Sequence, residues 1–367
     1  MKSSPILSVV LTIAQVASSY PDMANTLAEI EKRKANRSTS LIGDLEFLAD
    51  RDLTKTGSLI KNILIGKGDP QDLSSAYSSL PAKDSEACKK DPCCIWKYIA
   101  DDMRGAMVEG KECNAIARGA IRLGFHDAGS WSKKTGKTGG ADGSILLANE
   151  CEDRTENEGL RGFCPQMRKW FDKYKSYGVS MADLIQFGAT VGTVVCPVGP
   201  RIRTFVGRKD NKEAAPRGNL PGAFDDADTL IKLFEDKTIS PAGLVALLGA
   251  HTVSRQRTAF PERLEAPQDS TPGTWDTRYF RETIDSNSPK EVLKLDSDVN
   301  IATDSRTKAL WKSYGQFLFG QMTWNQACLL QPLDDYAREY IRMSLLGVYN
   351  INDLTECTKA LPKFTGN

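Results

Sequence analysis

Two histidines occur in 367 residues, and each sits among other side chains capable of chemistry. The first lies in Ile121-Arg122-Leu123-Gly124-Phe125-His126-Asp127-Ala128, the second in Leu247-Leu248-Gly249-Ala250-His251-Thr252-Val253-Ser254-Arg255. Imidazole titrates near neutral pH and is also a strong metal ligand. With two histidines available, any metal site built on three is excluded. An iron porphyrin site needs only one imidazole to hold the metal and one to move protons.

Arg122 and His126 are four residues apart in what reads as a helix, so they share a face. A base and a permanent cation in one site are the pair that peroxide cleavage requires. The base takes a proton from one oxygen and returns it to the other, and the cation stabilises charge on the leaving oxygen. Before His251 the run Leu244-Val245-Ala246-Leu247-Leu248 is continuously apolar and predicts a buried helix with the histidine on its inner face. Ser240-Pro241 supplies its start, as N-cap and first-turn residue.

RLGFHDA followed by GGADGS, then GAHTVSR followed by DSTPGTWDT, resembles the plant-type haem peroxidase superfamily and most closely its secreted fungal class II branch. The similarity runs from about Cys88 to Cys357, with the motifs in the family's order. It implies an all-α fold of two helical lobes, distal and proximal, with haem b between them. It further implies His126 as distal acid/base, Arg122 as distal cation, Phe125 as the apolar wall over the haem and His251 as the proximal iron ligand. Asn157 matches the asparagine that accepts a hydrogen bond from the distal imidazole, leaving the other ring nitrogen bare for base catalysis. Asp298 matches the carboxylate that accepts the proximal N–H and makes that ligand more electron-donating.

Oxygen-rich clusters beside both histidines point to two calcium ions, which prefer six to eight mixed oxygen ligands. One cluster is Asp127 with Gly140, Asp142 and Ser144; the other is Thr252 with Asp269, Thr271, the Thr274 carbonyl and Asp276. Nine cysteines belong with an oxidising compartment. The family pattern implies Cys88–Cys94, Cys93–Cys357 and Cys113–Cys196; Cys151–Cys164 is a possible local bridge around Asn157 that the family does not predict, and Cys328 is left over.

A chain that is 40% apolar can bury a large core, and a net charge of +1 offers no polybasic signal for nucleic acid or membrane. A monomer acting on hydrogen peroxide and small aromatic donors is expected. Residues 1–19 read as a secretory signal, with an apolar run too short to span a bilayer, and residues 20–85 as a polar extension or propeptide containing the glycosylation sequon Asn36-Arg37-Ser38. The peroxidase domain is assigned to 86–367. Within it, Ser180-Met181-Ala182-Asp183 predicts a capping box opening a helix over 184–193; further helices are expected over about 225–235 and within 305–348.

Departures from the family bear on the electron donor. The acidic residues that bind manganese in some members are replaced by Ala115, Gly119 and Arg257, and the place of the surface relay tryptophan is taken by Ala246. Trp131 is the alternative relay, and Gln268 stands where an apolar residue usually lies below the haem. Small phenols are therefore the expected donors. Two rivals are an intracellular class I peroxidase, opposed by the signal and the cysteines, and a secreted peroxidase-fold protein with little turnover that acts in binding or structure.

Overall fold

The computed structural model describes residues 36–316, 320–325 and 335–364. The signal segment 1–19 and Cys328 lie outside the described residues. The architecture is helical, and the strands described are two short antiparallel ribbons: β1 (Val108–Glu109) with β2 (Glu112–Cys113), and β3 (Phe205–Val206) with β4 (Thr355–Glu356). The helices that position the site are α1 (Lys55–Leu64), α2 (Cys94–Met107), α3 (Ala115–Ala128), α4 (Met181–Val195), α5 (Ala227–Asp236), α6 (Pro241–Leu248), α7 (Arg278–Ile284), α8 (Asp296–Thr303) and α9 (Asp335–Met343).

The first lobe is built on α4, whose fifteen residues are all buried, as expected for a helix apolar on every side. It packs against α2 and α3. Two glycines permit the close approach to α3. A Cβ on Gly124 would lie 2.7 Å from that of Ala189, and one on Gly192 would lie 2.9 Å from the carbonyl oxygen of Ala117. The Ser180 hydroxyl accepts from the Asp183 N–H at 3.1 Å, which is one half of the predicted capping box. The other half is absent, because the Asp183 carboxylate accepts from the N–H groups of Gly207 and Arg208 at 2.6 and 3.1 Å and pairs with the buried Arg208 guanidinium.

In the second lobe α6 packs on α5 and α9, and α7 contacts α8. Ser240 caps α6 by accepting from the Gly243 N–H at 3.2 Å, with Pro241 in its first turn. The helix at 225–235 begins two residues later than expected because Asp226 is its cap and accepts from the Thr229 N–H at 2.7 Å. The late helical region is divided into Lys308–Tyr314, Gly320–Asn325 and α9. Sulfur–sulfur bonds join Cys88 to Cys94, Cys93 to Cys357, Cys113 to Cys196 and Cys151 to Cys164.

The boundary expected at residue 86 is not a packing boundary. Ile42, Leu45, Ile60, Ile63 and Leu64 are buried in the same core cluster as the helices of both lobes. The Arg342 guanidinium of α9 donates to the carbonyls of Ser40, Ser38 and Leu64 at 2.8, 2.9 and 3.1 Å. The polar composition of 20–85 concealed this, since a few apolar residues on one face of α1 are enough to seat it. Asn36 of the sequon is exposed. Ile60→Ala is expected to lower stability by about 2–5 kcal/mol, the usual cost of truncating a fully buried aliphatic side chain. Denaturant unfolding measures this, and a loss below about 0.5 kcal/mol would show that the segment contributes little.

Candidate functional site

A cavity of 590 Å³ lies between the lobes, with Arg122, Phe125 and His126 of α3 on one side and His251 on the other. Both lobes supply its apolar surfaces, among them Ile121, Leu160, Leu230, Phe234 and Leu248.

On the α3 side, His126 and Arg122 project from successive turns of one face, as the spacing predicts. The His126 Nδ1 lies 2.8 Å from the Asn157 Oδ1, and Nε2 lies 3.2 Å from the Arg122 Nε. The protonation pattern follows from the network. Asn157 donates its Nδ2–H to the Glu150 carbonyl at 3.0 Å, so its oxygen faces the imidazole and must accept. The proton is therefore on Nδ1, and the unprotonated Nε2 accepts from the Arg122 Nε–H at the cavity. Glu150 is itself fixed, by a 2.7 Å ion pair to Arg154 and by an N–H donated from Ala215 at 2.8 Å. The Cys151–Cys164 bond spans the short 3-10 turn Thr155–Leu160 that carries Asn157.

Burial, reinforced by the Arg122 charge, holds the His126 imidazole down at about 3 against the raising effect of Asn157. Burial, followed by the charge of Arg257, also lowers the Arg122 guanidinium. Arg122 lies so close to Gly159 that a Cβ there would stand 2.5 Å from its Nη1 and displace the guanidinium. Phe125 sits edge-on to His126 with ring centroids 5.6 Å apart, and stacks on Phe234 at 6.2 Å.

His251 does not lie on α6 as expected. That helix ends at Leu248, and the histidine occupies the following 3-10 turn, Gly249–Val253. Trp324 packs so tightly there that a Cβ on Gly249 would meet its ring at 2.3 Å. The His251 Nδ1 is 3.0 Å from the Oδ2 of Asp298, a residue in the first turn of α8, which directs Nε2 to the cavity. Gln268 donates to the same Asp298 oxygen at 2.9 Å, and its own side-chain oxygen accepts from Ser254. Tyr279 stands edge-on to His251 at 5.6 Å, its hydroxyl pushed well up by burial and then by the Asp298 charge.

Of the proposed ion ligands, Asp127 accepts from the N–H of Gly143 at 3.1 Å, and Asp142 from the N–H of Ser144 at 3.0 Å. The Gly140 carbonyl accepts from the Asp142 N–H at 2.8 Å. Burial raises both carboxyls, and Asp142 adds to the shift of Asp127. In the second cluster Thr252 donates to Asp269 and lies 3.5 Å from the Thr274 carbonyl, while Thr271 donates to Asp276 at 2.8 Å. Burial pushes Asp269 up to about 7 and raises Asp276. No group of three or more His, Cys, Asp or Glu side chains converges on a metal position among the described residues.

Ala115, Gly119 and Arg257 come together on the cavity wall, whereas Ala246 is fully buried and its carbonyl accepts from the Trp324 indole N–H at 2.9 Å. Trp131 is buried too, its indole donating to the Gly136 carbonyl at 2.7 Å. The sequence reading missed Glu150, Arg154 and Tyr279. The opposite charges of Glu150 and Arg154 at helical spacing just before Asn157 were a signal for the first two; Tyr279 left none.

His126 accepts a proton only while neutral. With its folded-state pKa lowered to about 3, the neutral form persists from alkaline pH down through pH 4. The rate of reaction with peroxide is therefore expected to be flat to about pH 4, where an unperturbed imidazole of pKa about 6.5 would already have lost its base form. Arg122→Leu removes a nearby positive charge and should shift the acid limb upward. Stopped-flow rates against pH measure both, and a wild-type limb near 6.5 would contradict the burial argument.

The peroxidase family matches residues 99–316. Over 319 residues, 81% of this chain and 84% of the relative, the chain is 28% identical to a peroxidase of Arthromyces ramosus. It is 29% identical to a peroxidase of Coprinopsis cinerea over 79% of this chain and 81% of the relative. Identity to Ligninase LG6 of Phanerodontia chrysosporium is 32%, over 73% of this chain and 74% of the relative. With the two histidine constellations facing one cavity in a helical fold, these matches establish that the chain belongs to the peroxidase family, among its fungal class II members.

Proposed function

We propose that the protein is an extracellular haem peroxidase that reduces hydrogen peroxide to water and oxidises small phenolic or aromatic donors in one-electron steps. The observation that carries this reading is the pair of imidazoles on opposite sides of one cavity, each with Nδ1 engaged by a fixed acceptor.

The residues present fit haem b. The cavity walls are largely apolar, and His251 presents Nε2 with a carboxylate behind Nδ1, the arrangement of an electron-rich iron ligand. Haem iron, when bound, supplies the redox chemistry of peroxide reduction. The remaining work falls to side chains. His126 Nε2 takes the proton from the entering peroxide oxygen and returns it to the departing one. Arg122, 3.2 Å away, stabilises charge on the leaving oxygen, and Asn157 keeps the imidazole in the tautomer that can accept. Intact machinery on both sides of the cavity favours turnover over a purely binding role.

Small donors follow from the cavity wall and the buried tryptophans. Ala115, Gly119 and Arg257 offer no carboxylate for divalent manganese, and a Cβ at Gly119 would lie 2.6 Å from the Phe163 ring. Ala246 and Trp131 give no exposed aromatic entry for bulky donors. Four disulfides support secretion to an oxidising compartment, and no described helix is long and apolar enough to cross a membrane. A monomer without nucleic-acid partners is proposed, with residues 1–19 as the secretion signal.

In steady-state assays with hydrogen peroxide, the haem-loaded protein is expected to oxidise small phenols, with negligible manganese oxidation and little turnover of veratryl alcohol. His251→Ala should lose most of the bound haem, its Soret absorbance and the phenol turnover. Full haem retention with an unchanged spectrum would refute the ligand assignment, and manganese oxidation as efficient as phenol oxidation would refute the donor assignment.

Calcium is proposed at both oxygen clusters because each gathers two carboxyls that burial raises above the usual carboxylate range. A cation would relieve that cost and anchor Asp127 and Thr252, the residues directly after the two histidines. Chelation under mild conditions should lower the melting temperature, since an ion bound only to the native state stabilises it by mass action. An unchanged melting temperature and a metal analysis free of calcium would overturn both sites.

A further inference from the structure

The exposed lining residues are Ala115, Thr155, Gly162, Gly222 and Thr258, and the first three and Thr258 mark one opening of the cavity. Three arginines line the cavity beside them. Arg118 comes from α3, one turn before Arg122; Arg255 and Arg257 come from the segment after His251. Arg257 reaches across to the first lobe, where a Cβ on Gly162 would stand 3.7 Å from its Nη1.

These cations are sparsely neutralised. Arg257 pairs with Glu265 at 2.8 Å, whereas Arg255 and Arg118 donate to the backbone carbonyls of Glu265 and Cys113 at 2.8 and 3.3 Å. Glu109 faces Arg118 from its outer side. Among the described residues lining the cavity, the carboxylates are Glu156 and Asp298, and Asp298 is committed to His251 and Gln268. The guanidiniums also act on one another. Burial, then the charges of Arg255 and Arg257, lower Arg118 against the opposing charges of Glu265 and Glu109. A cationic opening that offers several guanidinium N–H donors in a forked geometry attracts an anion, and carboxylate matches that geometry.

We propose that Arg118, Arg255 and Arg257 form a carboxylate-binding rim at the cavity opening. The inference rests on the peroxidase reading of the cavity. The carboxylate has two possible sources, a propionate of resident haem or the carboxyl group of a donor of the hydroxybenzoate class. Either would use the rim's preference for anions over divalent cations.

The test uses wild-type holoenzyme, Arg257→Gln, Arg118→Gln and the double variant, with melting curves to confirm that each folds. One arm follows haem release to excess apomyoglobin after reconstitution with haem or haem dimethyl ester. The other titrates 4-hydroxybenzoate and phenol by difference spectroscopy. If propionates occupy the rim, the double variant should release haem roughly ten- to a hundredfold faster, with release of the diester unchanged. If donors occupy it, 4-hydroxybenzoate should bind weaker by a similar factor, with phenol unchanged. Factors of that size correspond to losing a charge-assisted hydrogen bond. Both quantities within twofold of wild type would overturn the rim. A wild-type protein that took up no haem would sink the peroxidase reading instead. The rim would then be decided by calorimetric titration of that protein with 4-hydroxybenzoate: binding lost in the double variant would support it, and no binding would overturn it.

Discussion

The hydrogen bond that Asn157 accepts from the His126 Nδ1–H is the constraint on which the first-lobe side of the cavity depends. An imidazole free to choose its tautomer would present an N–H to the cavity part of the time and could not then act as a base. Fixing the choice requires an acceptor that is itself fixed. The Glu150 carbonyl does this by receiving the Asn157 amide N–H, and the Glu150 side chain is held in turn by Arg154 and Ala215. The chain of dependence therefore runs from a buried ion pair through an amide to a ring nitrogen. The Cys151–Cys164 bond spans the turn through which it passes.

The two sides of the cavity apply the same device with different electrical results. On the first-lobe side the acceptor is a neutral amide, which orients the ring without adding charge. With Arg122 beside it, the desolvated imidazole is kept from protonating. Across the cavity the acceptor is a carboxylate, which pulls on the Nδ1–H of His251 and makes the opposite nitrogen a stronger electron donor. Gln268 shares that carboxylate oxygen through its own N–H, drawing some of the negative charge away. The residue that looked anomalous beneath the cavity thus acts on the partner of His251 through hydrogen bonding, where an apolar side chain could only pack.

Both arrangements depend on how closely the surrounding helices and turns can approach. Gly124 and Gly192 bring α3 against α4, Gly159 makes room for the Arg122 guanidinium, and Gly249 lies under the Trp324 ring. A methyl group at Gly124 or Gly192 would push α3 from α4, one at Gly249 would meet the Trp324 ring and one at Gly159 would displace the Arg122 guanidinium, and packed interiors accommodate the first three poorly. The segment before residue 86 belongs to the same packing, because α1 and the Arg342 contacts tie it to α9, which also packs against α6.

The sequence by itself determined the chemistry. Two histidines, an arginine four residues before one of them and the motif order sufficed for family and fold class, and local spacing on a helix set which side chains share a face. It also indicated the helix start at Ser240, where capping is a matter of a few adjacent residues. The tertiary structure alone decided what depends on distant contacts. His251 left its helix for a 3-10 turn beneath Trp324, and Asp183 exchanged half a capping box for Arg208. Ala246 and Trp131 were covered, and the polar N-terminal segment was drawn into the core. In each case the competing partner lies far away in the chain, and a nearest-neighbour pattern carries no information about it.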